Sequence, residues 1–277
     1  MRIGYLGPPG TFSDEAVGRC DLAADGEAVP FPGFPDAYEA TLAGEIDAAL
    51  LPIENSIEGS IGAVLDLLVH RPGLRIRREV LLPVRQMLLA PAGTALGDVR
   101  RVLSHPQPLG QCAHFLREQL PGASLEATRS TTEAAGKVAA GEAGAAAIAS
   151  RAAAARYGLA ILAEDIQDAS ENLTRFVLVA REDERPTGAD RTSIAFTLDR
   201  DRPGGLHEVL GEFARRGLNL SKIESRPTKE SIGHYVFFLD FEGHRSDAAG
   251  AAALEAVRSQ VGALHLLGSY PRSLPPT

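Results

Sequence analysis

The first two-thirds of the chain are organised around one short stretch, Glu171-Asn172-Leu173-Thr174-Arg175-Phe176. It brings an amide, a hydroxyl and a guanidinium together within four residues, and it leads into the apolar run 176–180, which predicts a buried strand. Taken alone, the stretch would fit an ordinary surface turn. Polar side chains at the mouth of a buried strand are also typical of a ligand site in an open α/β sheet.

Composition restricts the class of protein. At 277 residues, with 44% hydrophobic and 23% charged residues, the chain has the material for one large or two ordinary globular domains. A formal net charge of -8, with no basic stripe to offset it, argues against a nucleic-acid partner. Cys20 and Cys112 are too far apart for a CxxC site, and they predict reduced thiols in a cytoplasmic protein.

Neither a metal, a cofactor nor a membrane is expected. The seven histidines show no HExxH or paired-ligand spacing. The Gly-rich turn at 7–13 lacks the GxGxxG spacing of a dinucleotide site. The amino terminus shows no basic and apolar leader, and no apolar run approaches the roughly 20 residues that a membrane span needs.

Four further polar loops follow predicted strands and precede predicted helices, whose first N–H groups suit an anion. Any one of them could be a simple helix cap, as the capping box at Ser130-Thr131-Thr132-Glu133 illustrates. Together with the 171–176 stretch they predict one site. The strands span residues 1–6, 46–53, 99–104 and 125–129, and the loops hold Thr11 and Ser13; Glu54, Asn55 and Ser56; Ser104, His105 and Gln111; and Ser130.

The order of elements predicts the architecture. Alternating strands and helices indicate βαβ units and a mainly parallel sheet. Crossings near Pro83 and Ala163 predict two α/β lobes with a cleft between them, lobe one from about 1–82 plus 163–182 and lobe two from about 83–162. After a charged linker, residues 191–272 predict a ferredoxin-like βαββαβ domain, one sheet face of which would stay open unless it pairs with another copy.

Several separated motifs give the chain a resemblance to the prephenate dehydratase family. They are GYLGPPGTFS (4–13), LPIENSIEGS (51–60), LSHPQPLGQC (103–112) and NLTRF (172–176), followed by DRPGGLHEVL (201–210) and ESRP (224–227), which resemble an ACT regulatory domain. The resemblance implies lobes of the type II periplasmic-binding fold and cofactor-free conversion of prephenate to phenylpyruvate. It also implies phenylalanine feedback at the ACT domain, and assembly as a dimer or a dimer of dimers.

The resemblance also assigns roles to residues. It marks Thr174 as catalytic, and we expect a proton relay from Glu54, His105 or water behind it. For Arg175, contact with substrate and pairing with a carboxylate such as Glu171 both remain open, and Phe176 is expected as core or cleft wall. The expected substrate-binding residues are Thr11, Ser13, Asn55, Ser56, Ser104, Gln111, Ser130, Asn172, Arg175 and Phe176.

The expected phenylalanine site departs from the family pattern at one point. A Gly-Gly-Leu-His loop stands where the family usually has a Gly-Ala-Leu-Val-like stretch, which leaves the preferred amino acid open. The residues assigned to this site are Gly204, Gly205, Leu206, His207, Asn219, Glu224, Ser225 and Arg226. Two other functions stay open: an arogenate dehydratase, and a two-lobed metabolite-binding protein without catalysis.

Overall fold

The computed structural model describes residues 1–24, 26–200, 202–228 and 234–273. These residues form three sheets, of which the first two carry the predicted lobes and the third carries the carboxyl-terminal domain. None of the helices in these ranges combines the length and the apolar character that crossing a bilayer needs.

Lobe one is the first sheet with the helices that pack on it. The strands stand in the order β2-β1-β3-β11-β5, with the short β4 paired to β3. Its elements are β1 (Arg2–Leu6), α1 (Phe12–Gly18), a 3-10 turn (Asp21–Ala23), β2 (Glu27–Phe31), α2 (Phe34–Ala43), β3 (Ala48–Asn55), β4 (Gly59–Ser60), α3 (Gly62–His70), β5 (Arg75–Pro83) and the returning β11 (Leu173–Ala180).

Lobe two is the second sheet, in the order β10-β6-β9-β7-β8, with its own helices. The helix predicted from Cys112 to about Leu120 is confirmed, but residues 106–111, predicted as part of a polar loop, form a short helix of their own. The elements are β6 (Met87–Ala90), a 3-10 turn (Leu96–Asp98), β7 (Arg101–Ser104), α4 (Pro106–Gln111), α5 (Ala113–Gln119), β8 (Ser124–Ala127), α6 (Thr131–Ala139), β9 (Ala145–Ala149), α7 (Arg151–Tyr157) and β10 (Ala160–Ala163).

The prediction of a mainly parallel sheet is wrong for both lobes. β1 is parallel to β2 and β3, but β11 runs antiparallel between β3 and β5 because the chain re-enters lobe one after building lobe two. Lobe two likewise mixes parallel and antiparallel pairs. The reversal has a consequence for the site: the start of β11 lies beside the end of β3, so that Thr174 pairs with Asn55.

The third sheet confirms the βαββαβ prediction. Its strands are all antiparallel, in the order β13-β14-β12-β15. The predicted start of β14, Gly233, lies outside the described residues. The elements are β12 (Asp190–Leu198), α8 (Gly205–Ala214), β13 (Leu220–Pro227), β14 (Tyr235–Glu242), α9 (Ala248–Arg258) and β15 (Val261–Pro271).

Both faces of the third sheet are covered, so the prediction of an open face is wrong. Phe196 and Phe241 belong to the core shared with α8 and α9. On the opposite face, Val236 and Phe238 share a buried apolar cluster with lobe one. β15 lies so close to β5 that a Cβ added at Gly268 would stand 2.3 Å from a carbonyl oxygen of β5. Lobe one therefore takes the place that a second copy was expected to fill.

Candidate active site

A cavity of about 400 Å³ lies between the two lobes and is lined by both. Phe176, 2% exposed, forms part of its wall and also belongs to the core of lobe one. Three of its lining side chains ionise: Glu58, His105 and Arg129. The other polar side chains that line it are Ser13, Asn55, Gln86, Gln107, Gln111, Ser130, Thr131, Asn172 and Thr174.

The centre of the cavity wall is a buried pair, Asn55 and Thr174. The backbone N–H groups of Ile57 and Glu58 each donate to Asn55 Oδ1 at 3.0 Å, which fixes the orientation of the amide. Its nitrogen therefore faces Thr174 Oγ1 at 2.9 Å and Asn172 Oδ1 at 2.8 Å. Since the threonine oxygen accepts here and donates to no other described residue, its own hydrogen is available to a ligand in the cavity.

A chain of amides extends from this pair across the cleft. Asn172 Nδ2 donates to Gln111 Oε1 at 3.5 Å, and Gln111 Nε2 donates to Glu58 Oε1 at 3.3 Å. Gln111 ends α4 of lobe two, whereas Glu58 lies in the loop after β3 of lobe one. The expected Gln111 and Asn172 thus join the lobes at the edge of the cavity.

Helix starts supply further polar groups. Ser130 caps α6 by accepting from the N–H of Glu133 at 3.0 Å, but the Glu133 carboxylate accepts from the Arg129 N–H instead of completing the capping box. His105 caps α4, and its Nδ1 accepts from the N–H of Gln107 at 3.3 Å. In the neutral ring the proton is therefore on Nε2.

Four expected binding residues lie outside the cavity lining: Arg175, and three hydroxyl residues that bond to the fold. Thr11 caps α1 and donates to the Leu6 carbonyl at 3.1 Å. Ser104 is fully buried and donates to the Ile148 carbonyl at 2.7 Å. Ser56 accepts from the N–H of residue 173 at 3.0 Å and so ties the loop after β3 to β11. Ser13, in contrast, lines the cavity.

Glu54 and Arg175 point away from the cavity because neighbouring residues of a strand face opposite sides. Glu54 lies 3.3 Å from Lys222 of β13. A relay from Glu54 to Thr174 is therefore not supported. Arg175 is 8% exposed and pairs with Asp240 of β14 at 2.7 Å and with Glu79 of β5 at 2.8 Å. The geometry favours carboxylate pairing, but the partners are not the Glu171 that the sequence suggested.

The contacts around Arg175 determine the pKa values within this buried cluster. Burial alone would lower the pKa of the Arg175 guanidinium, but Tyr270, Asp240 and Glu79 outweigh it and hold the pKa well above its usual value. Arg175 also donates to the Tyr270 hydroxyl at 2.6 Å, and burial raises the pKa of that hydroxyl well above its usual value. The arginine therefore stays charged and links lobe one to the third sheet.

Sequence reasoning did not assign Glu58, Gln86 and Arg129 to the site. Glu58 lies inside the 51–60 motif, so the sequence located its loop but did not show that its side chain faces the cavity. Arg129 is the residue before the Ser130 cap, and a cation beside a helix start was the available signal. Gln86 lies in the crossing after Pro83, where nothing in the sequence separates a cavity residue from a linker residue.

The residues expected to bind phenylalanine divide between different surfaces. Gly204, at φ +85°, begins α8, Leu206 packs into the core below it, and His207 and Asn219 are exposed. Gly205 is buried. On β13 the side chains alternate. Glu224 accepts from Ser60 and lies 3.2 Å from Lys222, Arg226 lies 3.7 Å from Asp66 of α3, and Ser225 is exposed on the other side. Glu224 therefore faces lobe one within its own chain.

Two lobes that enclose a polar cavity, joined to a βαββαβ sheet, define a two-lobed α/β protein with a ligand site in its cleft and an attached ferredoxin-like domain. The prephenate dehydratase family model matches residues 3–184 and the ACT domain model matches residues 192–259. A prephenate dehydratase from Amycolatopsis methanolica is 42% identical over 275 residues, which cover 98% of this chain and 89% of that protein. The chain belongs to the prephenate dehydratase family, as the motifs indicated.

Solved structures agree with this fold. A prephenate dehydratase from Arthrobacter aurescens in complex with L-Phe is 42% identical, with a TM-score of 0.90 and coverage of 98% of this chain and 90% of that one. A protein named GqqA, described as a novel type of quorum-quenching acylase, is 30% identical, with a TM-score of 0.89 and coverage of 99% and 98%. The two-lobed fold with its ACT domain is thus confirmed over nearly the whole chain.

Proposed function

We propose that the chain converts prephenate to phenylpyruvate, with release of carbon dioxide and water, in the cavity that holds Thr174. The observation that carries the proposal is the Asn55–Thr174 pair. Asn55 donates to the threonine oxygen at 2.9 Å and leaves the threonine hydrogen for a ligand. Membership of the family supports the reaction class, which is that of a lyase.

The substrate performs much of this chemistry itself. Prephenate is a cyclohexadiene that bears a ring carboxylate, a pyruvyl side chain and a ring hydroxyl. When the bond to the ring carboxylate breaks, its electron pair moves through the diene and expels the hydroxyl, so that the ring becomes aromatic. The oxygen takes up one proton and leaves as water. All atoms and electrons are accounted for without an external electron acceptor. The protein therefore has to orient the ring and assist the departing oxygen.

Thr174 is the residue that we assign to the departing oxygen. Hydrogen-bond donation or proton delivery at that point contributes about 10²–10⁴-fold to the rate. A threonine hydroxyl is a weak acid, so a second group has to supply the proton. His105 is our candidate, because it lines the cavity and its imidazolium form, in which Nδ1 gives up the 3.3 Å contact with the Gln107 N–H, carries an acidic proton on Nε2.

One side of the cavity carries positive charge, which suits an anionic substrate. Arg129 lines the cavity, and its side chain is 92% exposed with a partner in Glu133 at 3.1 Å. The start of α6, capped by Ser130, presents backbone N–H groups on the same side. We assign one substrate carboxylate to Arg129 and this helix start.

The test is turnover of prephenate and of arogenate, measured separately as phenylpyruvate and phenylalanine formed. Thr174→Ala should lower kcat about 100-fold or more, whereas Thr174→Ser keeps the hydroxyl and should retain much of it. Ser104→Ala is the matched control, because it removes a hydroxyl that bonds to Ile148 outside the cavity. Near-normal turnover by Thr174→Ala would contradict the role of Thr174.

The same assay separates the alternatives. Turnover of arogenate alone would make the chain an arogenate dehydratase, and binding without turnover of either compound would indicate a metabolite-binding protein. The likeness to a quorum-quenching acylase makes cleavage of an acyl bond a further activity to assay. Prephenate turnover without acyl-bond cleavage is the expected result.

Feedback by phenylalanine at the ACT domain forms part of the proposal. The 42% identical structure is a complex with L-Phe, and Gly204 at φ +85° opens α8 in a loop where backbone amides can approach a carboxylate. Phenylalanine at millimolar concentration should reduce turnover. An unchanged rate would remove this part of the proposal, and a response to another amino acid would identify a different effector.

We also propose that the chain acts as a cytoplasmic homo-oligomer, a dimer or a dimer of dimers. β13 is an edge strand of its sheet, and Ile223 and Tyr235 beside that edge are 49% and 46% exposed. Both cysteines are free and buried, as is usual in a reducing compartment. We assign residues 1–182 to the catalytic domain and 191–272 to the ACT domain. Sedimentation analysis tests the assembly, and a monomer would contradict it.

A further inference from the structure

We propose that Gln86 positions the substrate by accepting a hydrogen bond from its ring hydroxyl. This inference rests on the proposed function and assigns a role to a residue that no motif includes. Gln86 lies in the crossing between β5 and β6, lines the cavity and is 1% exposed.

The side-chain oxygen of Gln86 has no hydrogen-bond partner among the residues that the structure describes. Buried polar atoms in folded proteins are nearly always paired, so an unpaired oxygen on a residue that lines a cavity calls for a partner from the cavity. The other buried or half-buried amides of the cavity wall differ in this respect, and Gln107 is exposed. Asn55, Asn172 and Gln111 bond to one another or to neighbouring groups. Gln86 is thus the buried cavity amide whose acceptor is left for a ligand.

Two backbone bonds hold Gln86 in place. Its N–H donates to Gln167 Oε1 at 2.9 Å, and its carbonyl accepts from the N–H of Ile166 at 3.0 Å. Both partners lie in the segment by which the chain returns to lobe one. Gln86 therefore stands where the two crossings meet, and its backbone is fixed without using the side-chain oxygen.

The chemistry of the substrate identifies the group that Gln86 accepts from. Prephenate at neutral pH carries two carboxylates and a keto group, which only accept hydrogen bonds, and one hydroxyl, which can donate. An unpaired carbonyl oxygen therefore matches the hydroxyl. With Thr174 donating to the same hydroxyl oxygen and Gln86 accepting its hydrogen, the rotation of that hydroxyl is fixed and a lone pair faces Thr174.

The test replaces Gln86 with leucine and measures turnover and thermal stability together. Loss of one such hydrogen bond should lower kcat/KM about tenfold. The melting temperature should stay the same or rise, because the unpaired oxygen has no hydrogen bond within the described residues to lose. Gln86→Met, which keeps the length of the side chain, should behave alike. A further measurement is the affinity of the Thr174→Ala variant for prephenate. Adding Gln86→Leu to that variant should weaken this affinity by a similar factor.

Gln260→Leu is the matched control. Gln260 also has a side-chain oxygen without a partner, but it lies in the third sheet's domain, bonded through Nε2 to Glu212 at 2.8 Å. It should leave kcat/KM unchanged. Turnover by Gln86→Leu within about twofold of the unmodified protein would overturn the inference, and so would a loss of stability in both Gln86 variants. Absence of prephenate turnover in the unmodified protein would refute the proposed function instead.

Discussion

Replacing Arg175 with methionine should weaken the contact between lobe one and the ACT domain. The guanidinium is 8% exposed and donates to Glu79 at 2.8 Å, to Asp240 at 2.7 Å and to the Tyr270 hydroxyl at 2.6 Å. Methionine is a long, apolar side chain that adapts to irregular space, so the change removes the cation while much of the packing remains.

The two carboxylates would be affected unequally. Glu79 keeps Arg191 at 2.7 Å and the N–H of Ser273 at 2.8 Å. Asp240, 4% exposed, keeps the Ser193 hydroxyl at 2.6 Å and no cation within the described residues. Removing one partner of a buried ion pair costs about 3–5 kcal/mol, mainly because the other charge is left uncompensated. We expect Arg175→Met to fall in that range, with Asp240 as the main cause.

Urea unfolding of the variants measures this free energy. Asp240→Asn added to Arg175→Met removes the uncompensated charge and should recover at least about 1 kcal/mol. Arg191→Met is the control, because Glu79 retains Arg175, and it should cost less than about 2 kcal/mol. The reasoning is refuted if Arg175→Met unfolds at the same urea concentration as the unmodified protein, or if Asp240→Asn restores nothing.

Glu54→Gln should keep prephenate turnover within about threefold of the unmodified protein, because Glu54 faces the ACT domain. A loss of about 100-fold would instead indicate that Glu54 belongs to the proton relay behind Thr174. Burial, aided by a nearby aspartate, raises the pKa of the Cys112 thiol to about 12. Little thiolate then exists at pH 8, so the native chain should react with iodoacetamide far more slowly than the urea-unfolded chain, and equal rates would contradict its burial. Gly268→Ala should destabilise the fold by about 1–3 kcal/mol, because the added Cβ would meet the Ile76 carbonyl. Gly122→Ala, with nothing within 4 Å, should not, and urea unfolding compares the two.

Local elements were predictable where the pattern was strong. The strands predicted at 1–6 and 99–104 are observed at Arg2–Leu6 and Arg101–Ser104. In both, turn residues flank a run of consistent character. The direction of β11 was not predictable, because it depends on how the chain returns after lobe two. No local pattern encodes that choice, and it made the sheet mixed.

The location of the site was predictable, but the facing of its residues was only partly so. The loops at strand ends led to Asn55, Thr174 and His105, all of which line the cavity. Their neighbours Glu54 and Arg175 were assigned to the same site and face the ACT domain instead. Because side chains alternate along a strand, the choice between adjacent residues needs the register, which long-range pairing sets.

The shared apolar cluster between lobe one and the ACT domain bears on how the protein can be engineered. Val236 and Phe238 of β14 share a buried apolar cluster with Val177 of β11, which follows Thr174 by three residues in the same strand. Truncating the chain after Ala180 would remove the ACT domain. It would expose this apolar surface of lobe one and the Arg175 guanidinium to solvent. Release from the proposed feedback by phenylalanine is therefore better sought by single substitutions on the exposed side of β13 than by removing the ACT domain.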